Sequence, residues 1–517
     1  MFKENEFLAS VSGAGNHILI RIIREKDQRV CKKLEVTTIK KLFGALLPLV
    51  GQIKAVFLSV TNLQTPEYPN NFELSKAIKD FLIHHKVSYH FYSDEYMMTS
   101  EILVAANITP IIGDMVVCIN FGSNEMTLVI NKFTSKGYKT LMTEVIEEKY
   151  LEVLANCFSN ILKTFYMRKM ILTTTEKDEK LLKKFEGILK SSNIFNLSGK
   201  LMIINCEKLY EMKQMGTPVI EMAKWASDRN YVKFHILPII IKTVEILGVF
   251  GNSQKKLIAA EKGSEISFTE SVVLGYSVQH CLMRQLNGKT LEFLETIKMD
   301  QNCHRRKITL LFESECFPEL KIESIIIPEI KELPKKLNGI CDMKIPIIGF
   351  FDSSAVIYVY KNGGYKFLDS WNGLYGNELF INFEESKAKY GMESIKAGKT
   401  KMSSVVYDLI KIMSMPSDKI VVKEEWKFVI TKNSENPILI EFVNHEGRKQ
   451  AGTPSFLMAM LLKEMLKRIK NEMNEEKPKE IGFCFFDKMF EDEKQRVENG
   501  LKEACELLKI HAKFIDV

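Results

Sequence analysis

No apolar stretch in this sequence is long enough to cross a bilayer. The longest, residues 234–251, is broken by Pro238, Lys242 and Glu245, whereas a spanning helix needs about 20 mostly apolar residues. The opening residues, Met-Phe-Lys-Glu-Asn-Glu-Phe, lack the apolar core of a signal peptide. These absences predict no membrane partner and a cytoplasmic location, with the nucleus as the alternative. Among ten cysteines there is no Cys-x-x-Cys pair, and the neighbours Cys303 and His304 have no second ligand pair at zinc spacing. The cysteines read as reduced thiols that pack as small hydrophobes. A dense basic patch is also missing. The net charge is +7, from 72 basic and 65 acidic residues, and the strongest run, Lys177 to Lys184, mixes signs. That run reads as a solvated helix face, so nucleic acid is not an expected partner. No Gly-x-Ser-x-Gly elbow, P-loop or Rossmann fingerprint occurs.

What is present is a globular composition, 46% hydrophobic and 26% charged over 517 residues, enough for roughly three to four domains. Ala55 to Val60 reads as a strand. Asn71 to Lys86 follows with Leu74, Ile78, Phe81 and Leu82 on one helical face. Asn70 or Asn71 can cap that helix, and Val87 to Tyr92 is again strand-like. The last forty residues repeat the plan, with a strand at Ile481 to Phe486, a helix at Glu491 to Lys509 and a strand at Ala512 to Val517. A helical pattern precedes each copy, at Thr37 to Leu49 and at Pro454 to Met473. Two copies of helix–strand–helix–strand predict an internal duplication.

Between them the pattern predicts a helix over Ser93 to Asn107, then a β-hairpin with strands Met115 to Asn120 and Met126 to Asn131 around the turn Phe121 to Glu125. Residues 145–193 read as mostly helical. Strands are expected at Lys200 to Cys206 and Glu245 to Phe250, and a helix at Phe268 to Met283. The stretch from about 290 to 375 reads as an all-β module, and 376–420 as mixed. His84, His85 and His90 cluster in the first copy, but no acidic or thiol partner stands at ligand spacing, so a metal site is not expected. At a helix end, His84 and His85 suit the helix dipole.

These residues resemble the seventy-kilodalton heat-shock chaperones. In the C-terminal copy, Phe490, Asp492, Gln495 and Arg496 match the run that opens the family's helix. Val116 to Ile130 sits where the family has its second phosphate hairpin, Asp-Leu-Gly-Gly-Gly-Thr. Ile246 to Gln254 resembles the strand end that holds the adenosine. Thr269 to Gln279 resembles a further family motif, with Glu270, Val272, Gly275 and Gln279 at its spacing. The β-rich stretch falls where the family places its peptide-binding sandwich, and Phe350 to Tyr360 echoes a hairpin there.

The resemblance implies an actin-like ATPase in which two hairpins pinch a triphosphate. Bare glycine backbone approaches the phosphates, and carboxylates orient Mg²⁺ and water. This sequence departs from that chemistry. The family's opening hairpin and its catalytic lysine have no match. Asn120 stands in place of an aspartate, and the glycine-rich turn has become Gly122, Ser123, Asn124 and Glu125. Glu125 would bring negative charge toward a phosphate. Residues Ile146 to Tyr150 lack both glycines of the matching family stretch, and Tyr96 replaces the proline that follows the glutamate matched by Glu95.

The expected fold is therefore α/β: an incomplete actin-like ATPase lobe (1–285), a β-sandwich-like, peptide-binding-like module (286–375), a connecting segment (376–420) and a C-terminal partial repeat of the lobe (421–517). The repeat is expected to pack against the N-terminal half. The expected function is that of a divergent, ATPase-deficient chaperone relative, a pseudoenzyme binding unfolded polypeptide or other chaperones. The alternatives are an active ATP-dependent folding chaperone and an interaction scaffold without chaperone role. No catalytic or metal residue is assigned. ATP and Mg²⁺ are the only cofactors in question, and Gly122, Ser123, Gly251 and Ser253 are the candidate nucleotide contacts.

Overall fold

A computed structural model describes all residues except 1–6, 123, 154–166, 175–178, 192–198, 251–252, 276–279, 288–289, 299–301, 314–316, 341–343, 392–393, 395–401 and 474–476. The fold is mixed α/β. It divides into two compact units. The first comprises Met1–Thr243, Ala260–Phe268 and Phe312–Glu319; the second comprises Val244–Ala259, Thr269–Leu311 and Leu320–Val517.

The first unit opens with a three-strand antiparallel meander, β1 (Phe7–Gly15), β2 (His17–Arg24) and β3 (Arg29–Val36). Ala14 pairs with His17, which leaves Gly15 and Asn16 as a two-residue loop. Gly15 has φ 57°, the positive φ that tight hairpin loops demand. Helix α1 (Ile39–Leu46) leads to β4 (Ile53–Leu63), α2 (Asn71–His84), β5 (Ser88–Phe91) and α3 (Asp94–Ala106). Strands β4 and β5 run parallel, and β4 also lies parallel to β1. The sheet order is β3-β2-β1-β4-β5. The cap of α2 is as read: Asn70 Oδ1 accepts from the Glu73 amide at 2.9 Å. Asn71 Nδ2 ties the same helix start to the carbonyls of Val60 and Leu63. Leu74, Ile78 and Leu82 are buried against Val11, Val56 and Leu58, each contributing about 1.5–3 kcal/mol.

A second sheet follows the same plan. Strands β6 (Met115–Phe121), β7 (Glu125–Thr134) and β8 (Gly137–Glu147) form the meander; β9 (Met167–Thr174) and β10 (Leu201–Ile204) add in parallel. The order is β10-β9-β6-β7-β8. Its helices are α4 (Lys180–Ser191), α5 (Cys206–Gln214) and α6 (Thr217–Ser227). A single core joins the two sheets through α3, with Phe57, Leu103, Val116, Cys118 and Ile171 all buried in it. Gly137 has φ 125°, and a Cβ there would lie 2.5 Å from the His235 carbonyl oxygen. Gly137→Ala is expected to cost this unit about 2–4 kcal/mol, read as a lowered urea midpoint.

The second unit begins with strands β11 (Thr243–Phe250), β12 (Ser253–Ala260), β13 (Phe268–Leu274), β14 (His280–Asn287), β15 (Thr290–Lys298), β16 (Arg305–Phe312) and β17 (Glu319–Ile325). They make a four-stranded sheet, β12-β11-β14-β15, and a three-stranded one, β13-β16-β17. After α7 (Pro328–Ile340) comes a third meander, β18 (Ile347–Phe351), β19 (Ser354–Lys361) and β20 (Gly364–Phe367), with β21 (Asn377–Glu378) added to β19. Helices α8 (Leu409–Ser414) and α9 (Pro454–Glu472) precede β22 (Glu480–Phe485), α10 (Glu491–Leu508) and β23 (His511–Phe514). Strands β22 and β23 join β18 in parallel, so the path reads β20-β19-β18-β22-β23. One strand order thus occurs three times. No helix among the described residues is long and apolar enough to cross a membrane.

Several expectations need correction. The chain does carry an opening hairpin, β1–β2. Residues 268–274 are a strand, not the start of a helix, as suits the β-branched Thr269, Val272 and Val273. Residues 145–193 hold the end of β8 and all of β9. β9 is a central strand buried on both faces, so it shows no alternation, and a short apolar run cannot be told from a buried helix. The β-rich stretch starts at Thr243 and is interrupted after Ile325 by α7. The C-terminal strand–helix–strand finds its sheet partner at β18 within its own unit.

Candidate functional site

The sequence-based site residues do not assemble within one unit. Gly122 lies in the first unit and Ser253 in the second. Ser123 and Gly251 fall outside the described residues, as does Gln279. The Gly122 amide donates to the Glu125 carbonyl oxygen at 2.8 Å, and a Cβ on Gly122 would meet that same oxygen at 3.3 Å. The amide closes its own hairpin and is not presented to an anion. Asn120 donates from Nδ2 to Met98 Sδ at 3.2 Å, and its Oδ1 is buried without a partner among the described residues. Glu125 is exposed. The strand holding Ile246 is followed by another strand, β12. Glu95 sits in the first turn of α3, while the Tyr96 hydroxyl reaches His235 Nδ1 at 3.0 Å. Glu270, Val272 and Gly275 lie on or beside β13. A Cβ on Gly275 would stand 3.3 Å from Asp352 Oδ2.

That aspartate lines a cleft of the second unit, about 700 Å³, within the usual range for ligand sites. It opens where β18 and β22, adjacent parallel strands, end at their carboxyl termini. Side chains beyond such ends converge because the chain turns away in opposite directions on either side. Phe351 pairs with Ser354, which leaves Asp352 and Ser353 as the β18–β19 loop, with Asp352 at φ 46°. Arg305 grips Asp352 with two bonds, Nε to Oδ2 at 2.8 Å and Nη2 to Oδ1 at 3.1 Å, and also bonds Asp487 just past β22. Asp487 in turn accepts from the Asp352 amide. Burial, reinforced by the neighbouring Asp352 charge, pushes the Asp487 carboxyl above its ordinary range.

Deeper in the cleft, Asp408 accepts from the Ser353 hydroxyl, from Lys423 Nζ at 2.6 Å and from Trp426 Nε1 at 2.9 Å. Tyr407 donates to the Glu425 carbonyl at 2.8 Å, and Lys255 pairs with the Glu425 side chain at 3.3 Å. These carboxylates are therefore spoken for by bases of the protein itself. Among the described residues no group of three His, Cys, Asp or Glu side chains could hold a metal ion. A cleft of paired charges can position a polar chain. The sequence signals for it were slight: each of two apolar strands runs directly into an aspartate, Phe351-Asp352 and Phe486-Asp487. Nothing local announces Arg305, 47 residues before its first partner.

The other motifs are structural. His84 and His85 close α2 as read, edge to face. His304 is buried, its Nε2 2.7 Å from the Leu374 carbonyl oxygen and its Nδ1 accepting from the Ile327 amide. Cys118, Cys281, Cys303, Cys484 and Cys505 are buried thiols outside any disulfide, while Cys31 is exposed. Burial pushes the Cys118 thiol up to about 12, which leaves it inert. Compared with known proteins, the chain matches no family model and no curated relative.

Proposed function

We propose that this chain is a divergent relative of the seventy-kilodalton heat-shock chaperones that binds polypeptide and does not split ATP. The observation that carries the reading is the turn after Phe121. A working phosphate hairpin needs free amides on bare backbone and an acidic strand end. Here the Gly122 amide is consumed by Glu125, and the end of the strand carries a neutral Asn120 whose amide is engaged by Met98. The backbone plan of two hairpin-led sheets, β1–β2 and β6–β7, followed by a β-rich module supports kinship with an actin-like ATPase that has kept its frame and lost its phosphate chemistry. The recurrence of one strand order in three sheets favours descent from a duplicated unit. On this view the third sheet, β18 to β23, is the partial repeat.

The binding surface on this reading is the β module. Leu291 and Phe293 on its edge strand β15 are 52% and 50% exposed, and an exposed apolar edge can accept an extended segment. The full chain is expected to suppress aggregation of a chemically denatured client at stoichiometric amounts, equally with and without ATP. Suppression that requires ATP would favour the active-chaperone alternative. No suppression, with a stable partner recovered instead, would favour a scaffold.

A further inference from the structure

The first unit contains a second cavity, about 250 Å³, under one face of the first sheet. Strand pairing sets its floor. Ser10 lies opposite Arg21, and Ser12 lies beside Ser59, so these four residues project on the same face, away from the apolar core formed by Ala9 and Val11. Ser10 is 2% exposed and has no hydrogen-bond partner among the described residues. Its hydroxyl opens on the cavity, where a ligand's carboxylate can accept from it.

The charges are separated along the cavity. At the end of Ser12, Asp94 accepts from the Ser59 hydroxyl and from Asn62 Nδ2 at 2.6 Å. Helix α3 then runs seven residues on to Glu101, roughly 10 Å further along its axis. There Lys213 pairs with Glu101 at 2.7 Å, and Arg21 interacts with the same carboxylate. Beside them α6 begins. Its N-cap is Gly216, set against Ile23, no side chain caps it, and Pro218 stands in its first turn. Two cations against one carboxylate, plus the positive end of a helix of eleven residues, make this end net positive. The Asp94 end is net negative. A lone anion would meet Asp94, and a lone cation would meet Arg21 and Lys213.

We infer that this cavity is a binding site for a small zwitterion of the amino-acid class. The ligand's carboxylate lies toward Arg21, Ser10 and the start of α6, and its ammonium toward Asp94. The site is independent of polypeptide binding by the β module. The test is calorimetric titration of the full chain with 4-aminobutanoate, with butanoate and butylamine as single-charge controls. The zwitterion is expected to bind with a dissociation constant of about 1 mM or tighter, and each control at least about tenfold more weakly. Ser10→Val, which removes the hydroxyl and narrows the cavity with an apolar group, is expected to abolish binding. Asp94→Asn is expected to bring the zwitterion's affinity down to that of butanoate, which keeps the test open should the valine variant fold poorly. Absence of zwitterion binding, butanoate binding as tight as the zwitterion's, or unchanged affinity in a folded Ser10→Val protein would each overturn the assignment.

Discussion

Glu378→Gln should stabilise the second unit, and the gain should grow from small at pH 5 to roughly 3–5 kcal/mol at pH 8. Glu378 sits on β21 with no solvent exposure, and both its carboxyl oxygens lack a hydrogen-bond partner among the described residues. Burial pushes its pKa up to about 8, against a smaller opposing effect of Arg306. The folded unit therefore holds the proton up to about pH 8, whereas the unfolded chain releases it near 4.5. A pKa raised on folding confers stability that is present below the unfolded value and lost as pH rises through the folded one. Glutamine imitates the protonated form and removes that loss. Calorimetric melting of wild type and variant at pH 5, 6.5 and 8 reads the effect directly. A difference that stays constant with pH would mean that the carboxyl is already ionised in the folded state.

The first unit should respond to pH in the opposite sense. His235 is 5% exposed, its ring stacked on Trp225 at 3.7 Å and its Nδ1 3.0 Å from the Tyr96 hydroxyl. Burial, with the nearby Arg229 charge, lowers its pKa to about 3; His90 is lowered to about 4 by the same two causes. Both rings stay neutral in the folded unit, while the unfolded chain takes up protons near 6.5. A depressed histidine contributes stability that is present above the unfolded value and lost as pH falls toward the folded one. His235 alone should cost the first unit up to about 4–5 kcal/mol between pH 6.5 and 3. His235→Phe should be less stable than wild type at pH 7, by about 1–2 kcal/mol for the lost Tyr96 bond, yet more stable at pH 4. Trp225 stacks on this ring, so its fluorescence reports the transition. Melting curves that do not cross would show that His235 is not held neutral.

How much of this was legible in the sequence depends on how local the cause is. Helices α2, α9 and α10 and strands β4 and β22 fell where periodicity placed them, because side-chain spacing and capping residues such as Asn70 and Thr453 act within a few residues. The hairpin β1–β2 was missed because β1 is built from Ala9, Ser10, Ser12, Gly13 and Ala14, residues of low strand preference that pairing on both sides holds extended. β13 was misread because a motif likeness outweighed its β-branched residues. The hairpin turn at Gly122 was legible as a turn, but not the bond that spends its amide. The cleft in the second unit was invisible for a plainer reason. Arg305, Asp352 and Asp487 meet only after strands distant in the sequence have paired, and no single segment shows that one guanidinium will bridge two carboxylates.

The central claim is that this architecture has given up the grip on a triphosphate. Its most direct test is calorimetric titration of the full chain with Mg·ATP, followed by a phosphate-release assay on the same sample. The account predicts no heat beyond dilution and no release above the uncatalysed rate. Binding at micromolar concentrations together with turnover would contradict it.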